Sequence, residues 1–247
     1  MDLNATSLLV FLCLLAAAFL KGATGLGFPL IATPILTFLL DIRSAVVVLI
    51  IPSMLMDITQ ILRGVFPAAL LKRVSGLVVL GVIGAFIGTA FLVSLPLWVL
   101  NLGLGVVVLV FVGTHLLQPA FQISTNAEKL LSPLVGFVAG FLNGMTNVSG
   151  PVLAMYFYSL KLPKTEFIKA VSVIFLVVKC GQIAALSTWN QFTWPLFQLS
   201  LVVIVLICMG FYAGLWIQDR INQRNFNHGL LVILSLIGIS LIHRALW

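Results

Sequence analysis

The sequence predicts an all-α polytopic membrane protein made of two inverted repeats, each a broken, re-entrant helix pair followed by three transmembrane helices. Three observations carry that prediction. Of 247 residues, 62% are hydrophobic and only 8% charged, with a mean hydropathy of +1.23; a soluble domain carries about 25% charged residues to cover its surface. Apolar runs of roughly 20 residues, long enough to cross a hydrocarbon core as helices, recur from end to end. The chain also matches itself at an offset of 122 residues.

The first apolar stretch, 3–40, is interrupted by FLKGATGLGFPL (19–30). Gly22, Gly25 and Gly27 let the backbone turn there, and Pro29 suits the start of a new helix, where its missing N–H costs nothing. The runs 44–62, 74–93 and 97–117 read as full crossings. The polar connection QPAFQISTNAEK (118–129) separates a first repeat, 1–118, from a second, 129–247, and its Thr125-x-x-Glu128 reads as a capping box. The stretch 130–160 is then broken in its turn by FLNGMTNVSGPV (141–152), with Pro151 in the place of Pro29 and Ser149 available as a cap. Crossings at 166–187, 196–216 and 229–246 complete the chain. In the self-match, FLKGATGLGFPLIA lies over FLNGMTNVSGPVLA with six of fourteen residues identical. The shared Gly-x-Thr-x4-Pro is the informative part, because glycine and proline are costly inside helices. At the same offset Gln60 falls on Gln182, Asp57 on Lys179 and Gly88 on Gly210. Gly84-x3-Gly88 and Gly210-x3-Gly214 read as close helix-packing sites with no role toward substrate.

Loop charges decide how the broken stretches sit. If 3–40 crosses once, basic residues divide almost evenly between the two sides. If 3–40 and 130–160 each enter and leave on one side, only Arg43 and Arg244 stay outside. Arg63, Lys72, Arg73, Lys129, Lys161, Lys164, Lys169, Arg220 and Arg224 then gather inside, as the positive-inside rule requires. Three crossings per half make the halves inverted, a common transporter plan. Both termini are then expected outside a cell (inner) membrane, with Trp98, Trp189, Trp194 and Trp247 in an outer aromatic belt and Trp216 at the inner surface. The same rule accounts for the net charge of +7 without a nucleic-acid partner. Cys13, Cys180 and Cys208 lie in apolar runs without paired spacing, so neither a disulfide framework, a metal site nor a cofactor is expected. His115, His228 and His243 read as interface residues near helix ends. GATGLG (22–27) follows no strand and is not a nucleotide loop.

Broken backbone at membrane depth is tolerated only where protein or a watery cavity satisfies it. Helix N-termini at Pro29 and Pro151, pointing to the middle from opposite faces, would make an anion site. Around it stand Lys21, Gly22, Thr24, Gly25 and Gly27 from the first break, and Asn143, Gly144, Thr146, Asn147 and Ser149 from the second. The hydroxyls and amides have a plainer reading as partners of the broken backbone. Lys21, Lys179 and Asp57 are the charges within membrane runs, each costing about 2.5–3.5 kcal/mol to insert. Lys21 has no acid at its matched position, since Asn143 stands there, and a ligand role outweighs snorkelling. Asp57 and Lys179 either form a structural ion pair, against an expected separation of ~10 Å in depth, or Asp57 carries a coupling proton. Gln60 and Gln182 share a helix face with those charges and line a cavity or bond between helices.

KGATGLGFPLIATPIL (21–36) and NGMTNVSGPVLAMYFYSLKLP (143–163), with the two-half plan, resemble the sulfite exporter TauE/SafE family of membrane permeases. The resemblance implies transport of a small sulfur-containing anion: sulfite, thiosulfate, sulfoacetate or a related organosulfonate. Two rival readings remain. A passive channel also uses inverted halves with half-helices, though Asn147 is not followed by proline. An intramembrane hydrolase built on Ser149 in NVSG (147–150) lacks an evident base.

Overall fold

A computed structural model describes residues 5–63, 68–117, 125–160 and 162–218, together with 239 and 242–243. Its helices are α1 (Ala5–Thr24), α2 (Phe28–Leu36), α3 (Ile42–Leu62), α4 (Ala68–Arg73), α5 (Ser75–Ser94), α6 (Leu97–Leu117), α7 (Thr125–Thr146), α8 (Gly150–Ser159), α9 (Lys164–Thr188) and α10 (Trp194–Ile217). Four of them, α3, α5, α9 and α10, are long and apolar enough to cross a membrane, and Leu8–Thr24, Leu97–Val110 and Leu130–Thr146 are shorter apolar stretches. The protein is an all-α, multi-pass membrane protein. Its breaks fall where the glycines and prolines place them, and the runs expected at 44–62, 74–93, 97–117, 166–187 and 196–216 become α3, α5, α6, α9 and α10. The run 229–246 lies outside the described residues except for the three named.

Two local expectations change. α4 forms in what reads as a loop, and α7 begins at Thr125, inside the 118–129 connection. Glu128 closes no capping box: one carboxylate oxygen accepts from Arg73 Nη2 and the other has no partner. A cation one helix away outcompetes a backbone N–H for a carboxylate.

Contacts fix the direction of each helix. Gly136 of α7 meets Leu77 of α5, Gly140 meets Gly81 and Gly144 meets Ala85, so α5 and α7 run parallel. Gly210 meets Leu15 and Gly214 meets Phe19, so α1 and α10 do too. At each of these glycines a Cβ would strike a carbonyl oxygen of the facing helix, which is why small residues stand there. Arg63, just past α3, donates to the Gln218 side chain just past α10 (3.0 Å), and Lys164, opening α9, donates to the Gln218 carbonyl (2.5 Å). α3 is therefore parallel to α10 and antiparallel to α9. Arg43, opening α3, donates to the carbonyls of Leu92 and Leu95 at the end of α5 (2.8 and 2.5 Å), so α3 and α5 are antiparallel.

Two consequences follow. α1 and α3 point the same way, so α2 carries the chain back between them; α7 and α9 point the same way, and α8 does likewise. Each broken segment enters and leaves at one end of the bundle. The helices matched by the 122-residue offset, α3 and α9, run oppositely. The first hairpin packs on α10 and the second on α5, so each half embraces the other. Arg63, Lys72, Arg73, Lys164 and Lys169 gather at one end, called here the Arg63 end. Arg43 lies at the other, beside the levels of Trp98, Trp189 and Trp194. Leu201, Val202, Val205 and Met209 of α10 are exposed, the lipid-facing side of a membrane helix.

Candidate functional site

α9 carries Ser172, Phe175, Lys179 and Gln182 at spacings of three, four and three, and α3 carries Ser53, Asp57 and Gln60 at four and three. Such spacings stack side chains on one helix face. Where α3 and α9 cross, the two faces meet, and α1 adds Lys21. Lys21 Nζ donates to Asp57 Oδ1 (2.5 Å) and Lys179 Nζ to Asp57 Oδ2 (2.6 Å). The three side chains are at most 1% exposed. Both ammonium groups lie over the ring of Phe175, 4.8 and 5.2 Å from its centroid, a cation–π cover that partly replaces water. Lys21 Nζ also donates to the Gly25 carbonyl (2.9 Å), tying the charge to the turn of its own hairpin. Two cations share one anion, so the triad in its charged form holds one unbalanced positive charge out of water. Such a charge is costly unless an anion completes it.

This geometry forms the Asp57–Lys179 ion pair and corrects the separation of ~10 Å in depth that stood against it. Lys21 has Asn143 at its matched position and finds its acid in Asp57 instead. The 122-residue match misleads because the acid opposite Lys21 comes from α3 of its own half, not from the matched position. The long stems of the two lysines also reach along the helix axes to one carboxylate.

A further correction concerns the helix N-termini. Pro29 and Pro151 are the second residues of α2 and α8, and Gly27 precedes α2 without a side-chain cap. The two turns do not face each other. Gly25 packs on Ile168, near the start of α9, while Asn147 Nδ2 donates to the Val46 carbonyl near the start of α3 (3.0 Å). Because α3 and α9 are antiparallel, those starts lie at opposite ends. Gln60 Nε2 donates to the Lys21 carbonyl (2.7 Å), and from Val46 to Gln60 α3 rises by about 21 Å at 1.5 Å per residue. The hairpins pass one another instead of meeting tip to tip, and their side chains, not their helix ends, occupy the centre.

The hairpins share a set of matched bonds. Gly25 N–H donates to the Lys21 carbonyl (2.9 Å) and Asn147 N–H to the Asn143 carbonyl (2.8 Å). Gln60 holds the Lys21 carbonyl as Gln182 holds that of Asn143 (3.1 Å). Thr24 donates to Leu20 and accepts from Leu26 N–H; Thr146 does the same with Leu142 and Val148. Gly25 and Asn147 both take left-handed backbone, φ 82° and 61°, a conformation glycine and asparagine tolerate best. Thr24 and Thr146 thus brace broken backbone, while Asn147 ties its turn to α3. Gly22 and Gly144 seat the hairpins on Phe211 and Ala85 backbone. Ser149, expected as a cap, instead donates to Asn143 Oδ1 (3.3 Å), and Asn143 Nδ2 donates to Gln182 Oε1 (3.0 Å).

Gln60 also forms the floor of a cavity of about 450 Å³ that opens at the Arg63 end, lined by Gln60, Arg63, Lys164, Thr165, Ile168, Lys169 and Gln218. Among these described residues three are cations and none is an acid. Ser172 Oγ donates to Gln60 Oε1 (2.8 Å), fixing that floor. Phe175, Ser172 and the basic mouth are the parts that sequence reading leaves out. Phe175 and Ser172 were detectable, standing four and seven residues before Lys179; the mouth was not, because the ends of three separate helices build it.

The family model described as Sulfite exporter TauE/SafE matches residues 10–241. No curated protein and no solved structure matches the chain. The matched region takes in both breaks, all three charges of the triad and α2 through α10: the chain belongs to the sulfite exporter TauE/SafE family of membrane permeases.

Proposed function

We propose that the protein is a secondary transporter that moves a small sulfur-containing anion (sulfite, thiosulfate, sulfoacetate or a related organosulfonate) across the cell membrane. The observation that carries this reading is the triad. Lys21 and Lys179, one from each half, meet on a single carboxylate beneath a basic mouth, leaving a positive charge for a mobile anion to complete. The halves, 1–118 and 129–247, are read as inverted repeats, with the antiparallel run of α3 and α9 in support. The gathering of basic residues at the Arg63 end supports its assignment to the cytoplasm and both termini to the outside.

Alternating access suits this architecture better than a continuous pore. Asp57, Lys21, Gln60 and Gln182 are buried and mutually bonded, so the centre is closed and opens by rocking one half against the other. Hydrolysis is disfavoured because Ser149 bonds to an amide oxygen rather than to a base. Proteoliposomes loaded with sulfite or thiosulfate test the reading. Saturable flux and counterflow are expected, reduced at least tenfold in Lys21→Met and Lys179→Met and partly restored in Lys21→Arg, whose charge persists with a different shape. Linear, non-saturating flux indifferent to both lysines would refute it.

A further inference from the structure

Asp57 occupies the position that a doubly oxygenated anion would take. Its two carboxylate oxygens each receive one ammonium, at 2.5 and 2.6 Å, as two oxygens of a sulfur oxyanion would. The charge count then distinguishes two cases. With Asp57 ionised, the triad offers one net positive charge. With Asp57 protonated, it offers two, and both lysines lose their internal anion. We propose that Asp57 is a tethered competitor of the substrate: a dianion binds Lys21 and Lys179 together with one proton, which Asp57 carries, so that dianion and proton cross in the same step.

The proposal rests on the transporter reading above and adds the coupling ion and the charge of the cargo. Asp57 is the carboxylate that the two ammonium groups share. α1 faces it with Lys21 and α9 with Lys179; the other polar groups nearby, Gln60, Ser172, Gln182 and Asn143, are neutral. α2 and α5 contain no titratable residue, and α10 holds only half-buried Cys208 and exposed Tyr212. The proton exchange is simple. A proton from solvent, entering through the mouth, adds to one carboxylate oxygen, the two ammonium–carboxylate contacts break, and two ammonium–oxyanion contacts form. On release the proton departs and Asp57 recaptures both lysines, which lowers the charge of the empty site from two to one. One dianion with one proton moves one net negative charge per cycle, so the membrane voltage acts on the transport.

Thiosulfate is the probe, since it stays doubly charged through the neutral range, and methanesulfonate is the singly charged control. Proton uptake is read with a pH-indicator dye as each is added to purified protein. Thiosulfate is expected to bind with about one proton taken up and to bind more tightly as pH falls; methanesulfonate is expected to bind without one. Asp57→Asn should bind thiosulfate with no proton uptake and a flat pH profile, and its flux should no longer respond to an acid gradient. Wild-type binding of thiosulfate without proton uptake overturns the coupling and leaves the transporter reading intact, a result that does not depend on the variant folding. A pH slope that survives in Asp57→Asn overturns it as well. Absence of any oxyanion binding by the wild-type protein removes the transporter reading itself, and the coupling with it.

Discussion

Replacing each member of the triad in turn should give sharply unequal costs. Asp57→Asn leaves two buried ammonium groups without a carboxylate, both at most 1% exposed. Breaking a buried pair costs about 3–5 kcal/mol, and here one change uncovers two cations that then repel each other. Lys21→Met leaves Asp57 and Lys179 as a balanced pair at 2.6 Å and keeps most of the side-chain volume. It removes a charge-assisted bond of about 1.5–3 kcal/mol and the bond to Gly25, worth about 0.5–1.5 kcal/mol, but it also removes the unbalanced charge, whose desolvation runs to several kcal/mol. The net cost should fall within about 2 kcal/mol of the parent. The double change Lys21→Met with Asp57→Asn should be more stable than Asp57→Asn alone, because one of the stranded cations is gone. Unfolding in detergent, followed by tryptophan fluorescence in denaturant, measures all three. If Lys21→Met is as damaging as Asp57→Asn, or the double variant is the worst of the set, the two lysines do not share the carboxylate and the charge count is wrong.

Four further predictions test other parts of the structure. Gly140→Leu should abolish accumulation of folded protein, because a side chain there enters the backbone of Gly81 where α5 and α7 touch. Gly27→Ala should cost only about 1–2 kcal/mol, since nothing lies within 4 Å of the added Cβ and the penalty comes from φ 98° alone; melting temperature ranks the pair. Reversing the mouth with Arg63→Glu and Lys164→Glu should slow anion capture several-fold at low salt and little at high salt, as expected of screened steering charges. Cysteines placed at Asn190 and at Gln218 should be labelled from opposite sides of the membrane, Asn190 from outside; labelling of both from one side contradicts the helix directions.

How much of this was legible beforehand varies with the physics involved. Hydrophobic runs are set by the bilayer, so α3, α5, α6, α9 and α10 could be placed nearly to the residue. The breaks at Gly22–Pro29 and Gly144–Pro151 were equally plain, because glycine and proline act locally. Depth was not. The sequence shows that Lys21, Asp57 and Lys179 are buried, but how far each hairpin penetrates depends on its packing against the other half, and the notion of helix ends meeting at the centre failed there. Side-chain reach was also hidden: a lysine stem can bridge more than a helical turn, so matched positions do not identify ionic partners. Glu128 shows the same limit, since its pairing with Arg73 requires knowing that α4 ends beside the start of α7.

The mutual embrace of the halves has a consequence for how the chain is made. α1 packs on α10, and roughly 190 residues separate Thr24 from Ile217. At about 5–20 residues per second, α1 waits some 10–40 s after emerging before its final neighbour exists. Lys21 need not wait so long for company. Asp57 follows it on the next long helix, so the first pair to form during synthesis is neutral. Lys179 arrives only when most of the chain has been made, and with it the surplus charge. The order of translation thus delivers a neutral pair to the membrane first and completes the charged centre only when the second half is present to enclose it.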